Sequence, residues 1–182
     1  MKHLFVSLCV AAAFVSCKNE TKTSAETESE TVVEITPEAS VFSNDDVEVV
    51  PISHATMVLK LYDKVIYVDP VGGAAAFEGQ PEPDLILVTD IHGDHYDLET
   101  LKNINTADTK IIVPKAVADK MPEFMQAQVA MMSNGNDQDV FDFNVAAIPM
   151  YNLREEALKF HEKGRGNGYV ISINGGKIYI SG

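Results

Sequence analysis

The folded part of the chain begins with three apolar segments that are separated by short polar turns. In order, they read VEVVPI, ATMVLKLY and KVIYVDP. Segments that are rich in β-branched residues and joined by short turns are typical of strands that pair with their sequence neighbours. The pattern therefore predicts three consecutive antiparallel strands at the start of the domain.

Continuous apolar runs and a segment of helical periodicity follow. LILVT and KIIVP are apolar at nearly every position, which predicts strands that are buried on both faces. Between them, DLETLKNI begins with carboxylates and spaces Leu98, Leu101 and Ile104 as a short helix does. The pattern thus predicts an α/β fold in which helices pack over mixed sheets.

The last third of the chain is predicted to hold one more helical region and further strands. KAVADKMPEFMQ has helical character that is interrupted at Pro122, so it predicts a helix or two short helical turns. DFNVAAIPM predicts a strand. GYVISINGGKIYIS predicts a hairpin whose turn is Asn174-Gly175-Gly176.

The N-terminus has the features of a secretory signal. Lys2 precedes an apolar run from Leu4 to Val15 that is too short to cross a bilayer as a stable helix. The ending Val15-Ser16-Cys17 resembles a bacterial lipobox, in which the peptide is cleaved before the cysteine and the thiol receives lipid. We therefore expect residues 1–16 to be a lipoprotein signal peptide and Cys17 to be lipidated. An ordinary cleaved signal with an incidental cysteine is the alternative.

Composition divides the rest of the chain into a tether and one domain. Residues 17–46 are rich in Thr, Ser and Glu with few large apolar residues, so we expect a disordered acidic tether. Residues 47–182 are enough for one core. We expect the lipid to hold this domain at a bacterial membrane of the cell envelope, on the periplasmic or outer side.

Charge and cysteine content restrict the partners and the kind of site. The formal net charge of −13, without a Lys/Arg cluster, argues against nucleic acid. The expected partners are a small-molecule substrate and, through the lipid anchor, the membrane. Both cysteines of the chain lie in or next to the signal. Any metal in the domain must therefore be held by imidazole and carboxylate groups.

Four such side chains follow the LILVT strand within six positions, namely Asp90, His92, Asp94 and His95. A loop at the carboxyl end of a buried strand is the usual place for a site in an α/β fold. The donor set suits one or two divalent ions, zinc first, with manganese or iron as alternatives. We expect Gly93 to permit a tight path on which the first two ligands face one ion and the last two face a second.

Two other residues are less clearly marked by the sequence. A lone histidine such as His161, in a loop of Lys, Glu and Gly, is usually only solvated. Asp69 in the segment VDP either supports a ligand from behind or forms the turn before Pro70.

The segment TDIHGDHYD resembles the signature loop of the metallo-β-lactamase superfamily, which reads His-x-His-x-Asp-His after a buried strand. HATMVLKLYDKVIYVDPVG resembles the opening strands of its metal-dependent hydrolase branch, which includes the ascorbate-phosphate lactonase-like proteins. YNLREEALKFHEKGRGNGYVISINGGKIYISG resembles the segment that bears the next metal-binding histidine. The resemblance spans the whole domain and implies an αββα sandwich.

The resemblance also implies an activity and a role for each residue. The activity is hydrolysis, in which a metal-activated water attacks an ester, lactone or phosphoester-type bond. His92 and His161 would bind the first metal, and Asp94 and His95 the second. Asp90, which stands where the motif has its first histidine, would also bind the first metal. Asp94 would in addition act as the base that orients the water.

The chain departs from the family pattern after its last strand. Members of the family continue from that strand with Gly-Asp-Thr, whose carboxylate bridges the two metals, and with a final histidine, whereas this sequence stops at Gly182. The sequence therefore predicts a sandwich truncated after its first half, which binds at most one ion, and weakly. A catalytically inactive remnant or metal-binding lipoprotein is the alternative to the hydrolase. A lactamase that acts on antibiotics is a third hypothesis, supported only by the name of the superfamily.

Overall fold

The computed structural model describes residues 42, 43 and 45–182. The predicted signal peptide, Cys17 and most of the predicted tether lie outside the described residues. Near the start of the described part, Asp46 N–H donates to the carbonyl oxygen of Ser43 at 3.1 Å. The side chain of Phe42 packs against the core between the sheets. Packing against the domain therefore extends to Phe42, ahead of the predicted boundary at residue 47.

Six strands form the first sheet in the order in which they occur along the chain. The first three strands pair antiparallel, as predicted, and the next three continue the sheet in parallel. The strands are β1 Val47–Ser53, β2 Thr56–Leu61, β3 Lys64–Val68, β4 Leu85–Leu87, β5 Lys110–Val113 and β6 Val129–Met131. The parallel strands β3, β4 and β5 therefore bring their carboxyl ends to one edge of the sheet.

Four antiparallel strands form the second sheet, in the order β10-β9-β8-β7. They are β7 Asp137–Val140, β8 Phe143–Met150, β9 Gly166–Ile173 and β10 Gly176–Ile180. The predicted hairpin joins the last two, although its turn is only two residues long because Gly176 already pairs with Ile173. Asn174 and Gly175 have φ of 49° and 81°, which a two-residue type I′ turn requires.

Two apolar cores lie on the two faces of the first sheet. One fills the space between the sheets and includes Leu59, Ile66 and Leu87 of the first sheet with Val145, Tyr169 and Ile171 of the second. The other packs the opposite face of the first sheet against the helices. The predicted α/β class, with helices over mixed sheets, is confirmed. The described residues supply the helical layer, the first sheet and the second sheet of the expected αββα order.

The helices of the described part are short. Helix α1, Leu98–Ile104, begins where predicted, and the Asp97 carboxylate caps it by accepting from the N–H of Glu99. Helix α2, Lys115–Ala118, and a 3₁₀ helix, Glu123–Gln128, lie on either side of Pro122, as two short helical turns. Within the described part of the chain, no helix has the length and hydropathy needed to cross a membrane.

Candidate metal centre

The loop after β4 carries four of the candidate ligands. Val88 N–H still donates to the carbonyl of Ile112 on the neighbouring strand at 3.0 Å. The chain then turns, and the N–H groups of His95 and Tyr96 both donate to the carbonyl of His92, at 2.9 and 2.8 Å. The loop therefore lies at the carboxyl end of a parallel strand, where α/β sheets commonly place their sites.

Gly93 is not the reason for this tight path, so that expectation was wrong. Its φ lies outside the left-handed region that favours glycine, and an added Cβ would meet no atom within 4 Å. An L-residue would therefore fit the backbone at this position. The two hydrogen bonds to the carbonyl of His92 account for the turn instead.

Asp90, His92 and His161 come together although His161 is supplied by the long connection between β8 and β9. One donor atom from each lies within 4.8 Å of the others. Asp90 Oδ2 is 2.9 Å from His92 Nδ1 and 3.6 Å from His161 Nε2. Ligand atoms around a tetrahedral zinc ion, with bonds of about 2.1 Å, are about 3.4 Å apart. The structure thus has the convergence that the sequence predicts, and the binding of an ion by these residues stays a prediction.

His161 has a ring nitrogen without a hydrogen-bond partner among the described residues. Its Nε2 is buried and lacks a hydrogen bond, whereas Nδ1 lies 3.1 Å from Nδ2 of Asn152. Burial also lowers the pKa of His161 below its ordinary value, which favours the neutral ring. Neutral imidazole is the form that binds metals. An ion between this ring and Asp90 would satisfy the unpartnered nitrogen.

Arg165, for which the sequence indicated no role, is bound to Asp90. Its Nε donates to Oδ1 at 3.0 Å and its Nη2 to Oδ2 at 2.7 Å. The Asp90 side chain is fully buried. Burial is the largest single influence and raises the pKa of Asp90, but the hydrogen bonds from Arg165 and from the backbone of Ile91, together with the charge of Arg165, hold the pKa below its ordinary value. Asp90 is therefore a buried carboxylate whose negative charge already has a partner.

Asp94 and His95 lie beside this group and do not join it. His95 Nε2 is 3.9 Å from Asp94 Oδ2, and the His95 ring centroid is 5.8 Å from that of His161. Neither residue belongs to the three-residue group that could hold an ion within the described part of the chain. The described residues therefore supply three candidate ligands to a first metal and the pair Asp94 and His95 to a second.

Asp69 holds His95 from behind, which decides between the two interpretations of this residue. It is fully buried and lies directly after β3, next to the end of β4. Its Oδ2 is 2.8 Å from His95 Nδ1, and Thr89 donates to the carboxylate through both N–H and hydroxyl, each at 2.6 Å. The hydrogen bond with Asp69 raises the pKa of His95 above its ordinary value. Carboxylates that orient metal-binding histidines in this way are common.

Gly166 allows β9 to pass very close to the loop after β4. A Cβ at this position would lie 2.6 Å from Cε of Met150 and 2.7 Å from the carbonyl oxygen of Thr89. The N–H of Asn167 donates to the same carbonyl at 2.9 Å. This contact joins the second sheet to the end of β4, and it places Arg165 beside Asp90.

A cavity opens over the candidate ligands. Its volume is about 620 Å³, within the range of about 300–1,000 Å³ that is usual for small-molecule sites. It is lined by His92, Asp94, Asn152, Arg154, Glu156, Ala157, Phe160 and His161. A small molecule in this space would lie against two of the three residues of the group and against the exposed carboxylate of Asp94.

The donor set fits one divalent ion. It contains a carboxylate and two imidazoles, the types that zinc, manganese and iron accept in hydrolytic sites. The unpartnered Nε2 of His161 is the specific sign of a missing ligand. Three protein ligands and one open position are typical of a catalytic ion, whereas a purely structural zinc site has four protein ligands. An ion held by these three residues would keep one position open toward the cavity.

Comparison with known proteins agrees with the geometry. A curated relative from Thermococcus onnurineus (strain NA1), a UPF0173 metal-dependent hydrolase, is 28% identical over 123 residues, which are 65% of this chain and 54% of that protein. The structure of a metal-dependent hydrolase from Parabacteroides distasonis ATCC 8503 superposes with a TM-score of 0.65 at 27% identity, over 75% of this chain and 60% of that one. The chain thus spans between half and two thirds of the length of these relatives.

A second solved structure extends the likeness of fold to a more distant protein. Igni18, a metallo hydrolase from Ignicoccus hospitalis KIN4/I, superposes with a TM-score of 0.57 at 17% identity, over 75% of this chain and 60% of that one. Residues 48–182, well over half of the chain, match the family described as the β-lactamase superfamily domain. The fold, the signature loop after β4 and this match agree, and the chain belongs to the β-lactamase superfamily.

Proposed function

We propose that the domain is a metal-dependent hydrolase that cleaves an ester, lactone or phosphoester-type bond in a small molecule. One observation carries the proposal: Asp90, His92 and His161 offer ligand atoms within 4.8 Å of one another beside a cavity of about 620 Å³. The names of the Thermococcus and Parabacteroides relatives, both metal-dependent hydrolases, support it. Within the superfamily we place the chain in the branch of the ascorbate-phosphate lactonase-like proteins, on the resemblance of its opening strands.

The three clustered residues would hold the ion through Asp90 Oδ2, a ring nitrogen of His92 and Nε2 of His161. A bound divalent ion supplies two effects, a lower pKa of a water and polarisation of the bond under attack. We propose zinc, because imidazole and carboxylate donors in a three-ligand open site are typical of catalytic zinc. Manganese and iron accept the same donors.

Asp94 is the proposed general base. Its side chain is 59% exposed, it lines the cavity, and Oδ2 lies 3.9 Å from Nε2 of His95. A carboxylate in this position can accept a hydrogen bond from the attacking water and then take its proton on Oδ2. His95, held through Nδ1 by Asp69, fixes one side of the space in which that water would lie.

Changing Asp94 tests this role. The chain loaded with Zn²⁺ should hydrolyse p-nitrophenyl acetate, γ-butyrolactone or bis(p-nitrophenyl) phosphate, and Asp94→Asn should lower kcat by about 100-fold, the lower range of general-base effects. The first metal should remain bound, because Asp94 is outside the three-residue group. Asp63→Asn is the matched control, since Asp63 is 77% exposed and pairs with Lys64. Equal kcat for Asp94→Asn and the unchanged chain would exclude Asp94 as the base.

A metal-binding protein without hydrolytic activity is the second candidate. It is favoured by the contrast between the two sites, because the described residues offer three ligands to the first ion and only Asp94 and His95 to the second. Tight binding of one Zn²⁺ together with no metal-dependent turnover of any of the three probes would support this candidate over the hydrolase.

We further propose that Cys17 carries lipid and holds the domain at a bacterial membrane of the cell envelope, where it meets a small-molecule substrate. The support is the sequence Val15-Ser16-Cys17 at the end of an apolar segment of signal length. Cys17→Ser should move the protein from the membrane pellet to the soluble fraction and abolish incorporation of labelled lipid. Cys9→Ser is the matched control, because Cys9 lies within the apolar segment that cleavage before Cys17 would remove. Retention of label and of membrane association by Cys17→Ser would refute the anchor.

A further inference from the structure

We propose that the guanidinium of Arg165 competes with the metal ion for Asp90 and thereby sets the metal affinity of the first site. This inference rests on the proposed metal centre, although it does not require that the centre be catalytic. It assigns a role to Arg165, whose guanidinium contacts two of the three candidate ligands, Asp90 and His92. Arg165 lies outside the signature loop, directly before β9.

The competition is for one oxygen. Asp90 Oδ2 accepts from Nη2 of Arg165 at 2.7 Å and lies 2.9 Å from Nδ1 of His92. The same oxygen is the one nearest to His161, at 3.6 Å. Nη2 therefore occupies one of the about two lone-pair directions of this oxygen. A metal ion that binds Oδ2 beside His92 and His161 must displace Nη2 or share the oxygen with it.

Arg165 also affects the first imidazole. Its Nη2 lies 3.3 Å from Nε2 of His92. The two N–H groups of Nη2 already donate to Asp90 Oδ2 and to the carbonyl of Phe160, so this contact is a close approach of the cation to the ring. An ion bound at Nε2 of His92 would therefore also lie near the positive charge of Arg165.

Electrostatic repulsion between Arg165 and a bound ion should also weaken metal binding. With metal–oxygen bonds of about 2.1 Å, an ion on Oδ2 would lie about 4 Å from Nη2 of Arg165 if the guanidinium stayed in place. Like charges at this distance repel strongly where solvent is excluded, and Asp90 is fully buried. The Arg165 side chain is 24% exposed, which leaves it a route toward solvent. Metal binding should therefore displace Nη2 from Asp90.

The pair also accounts for the departure from the signature at position 90. A bidentate contact of this kind needs a carboxylate, because its two oxygens match the fork of a guanidinium, and an imidazole has no such pair of acceptors. Both oxygens of Asp90 are used by Arg165, at 3.0 and 2.7 Å. Arg165 is held in turn by the carbonyl of Phe160. Asp90 and Arg165 thus form a unit that keeps the buried carboxylate neutralised when no ion is bound.

The direction in which Arg165→Gln changes the affinity for Zn²⁺ distinguishes competition for Asp90 from simple positioning of Asp90. If Arg165 competes, Arg165→Gln should bind Zn²⁺ more tightly, by about 10- to 100-fold, the range expected for loss of a charge-assisted hydrogen-bonding partner. If Arg165 merely positions Asp90, the same variant should bind Zn²⁺ more weakly. Chelator competition gives the Kd, and elemental analysis gives the number of ions bound. The metal-free variant should melt at a lower temperature, and Zn²⁺ should raise its Tm by more than it raises that of the unchanged chain.

Lys115→Gln is the matched control, because Lys115 is 68% exposed, pairs with Asp119 rather than Asp90 and does not line the cavity. It should leave the Kd for Zn²⁺ within about 2-fold, the usual context scatter for an exposed pair. If Arg165→Gln shows no cooperative melt, Arg165→Lys replaces it, and a gain of a few-fold is expected because a point charge cannot span both oxygens. Unchanged or weaker binding by the folded variant overturns the proposal.

Failure of this inference and failure of the proposed function give different results. Tighter binding by Arg165→Gln without turnover of any probe keeps the inference and removes the hydrolase. Metal-dependent turnover with unchanged affinity in Arg165→Gln keeps the hydrolase and removes the inference. If no variant binds Zn²⁺, both are overturned together with the metal centre.

Discussion

Replacing Asp69 by alanine should lower the free energy of unfolding by about 3–5 kcal/mol, the usual cost of removing one partner from a buried charged network. Asp69 is fully buried, and its carboxylate accepts from the N–H and hydroxyl of Thr89 and pairs with His95 Nδ1. In the variant, these donors lose their acceptor in a space that water does not reach. A domain of this size has a total stability of about 5–15 kcal/mol, so the loss is a large fraction.

Chemical denaturation of the metal-free chain measures this effect, and thermal melting should show Tm lower by about 10 °C or more. Asp108→Ala is the matched control, because Asp108 lies exposed in the loop before β5. The control should change the stability by less than about 0.5 kcal/mol. Equal stability of Asp69→Ala and Asp108→Ala would mean that the network around Asp69 contributes nothing to folding.

Replacing His161 by alanine should remove binding of the first metal. A structural zinc site contributes about 10–16 kcal/mol through four ligands, so loss of one ligand weakens binding by about 100- to 1,000-fold. The unchanged chain should bind about one Zn²⁺ per molecule, because the described residues bring three candidate ligands together at the first site alone. The variant should bind close to none at micromolar metal. Folding should survive, because the variant loses a single side-chain hydrogen bond, between Nδ1 and Asn152.

Isothermal titration with Zn²⁺, followed by elemental analysis, tests the His161 prediction. His54→Ala is the matched control, because His54 is exposed and bonds to the neighbouring Ser53. The control should retain the stoichiometry and the affinity of the unchanged chain. Two tightly held ions in the unchanged chain, or unaltered affinity in His161→Ala, would contradict the three-ligand centre.

The two predictions concern different parts of the same site. Asp69 acts behind the site, within the buried edge where β3 and β4 end, so its loss appears first in stability. His161 acts at the surface of the site and has an unused nitrogen, so its loss appears in metal binding. Comparing both variants in both assays therefore separates the residues that build the centre from those that bind the ion.

The sequence by itself determined the features that depend on near neighbours. Most strand and helix patterns and the hairpin turn, which was predicted one residue too long, arise from residues a few positions apart and appear in the structure. The candidate ligands after β4 were also readable, because four of them lie within six positions. Strands β6 and β7 were missed, since one has three residues and the other is mostly polar. Both depend on partner strands rather than on their own pattern.

Only the tertiary structure decided which distant groups meet. Asp69 and His95 are 26 residues apart, and Asp90 and Arg165 are 75 apart, so no local pattern links them. The backbone of Asp69 has a φ of 44°. Such a value is unusual outside glycine and often marks a functional position. The need for glycine at position 166 arises from the approach of β9 to Thr89, whereas Gly93 has free space around it. Burial, packing distance and pairing across the sheets depend on chain closure over long separations, and these quantities exist only once the chain has folded.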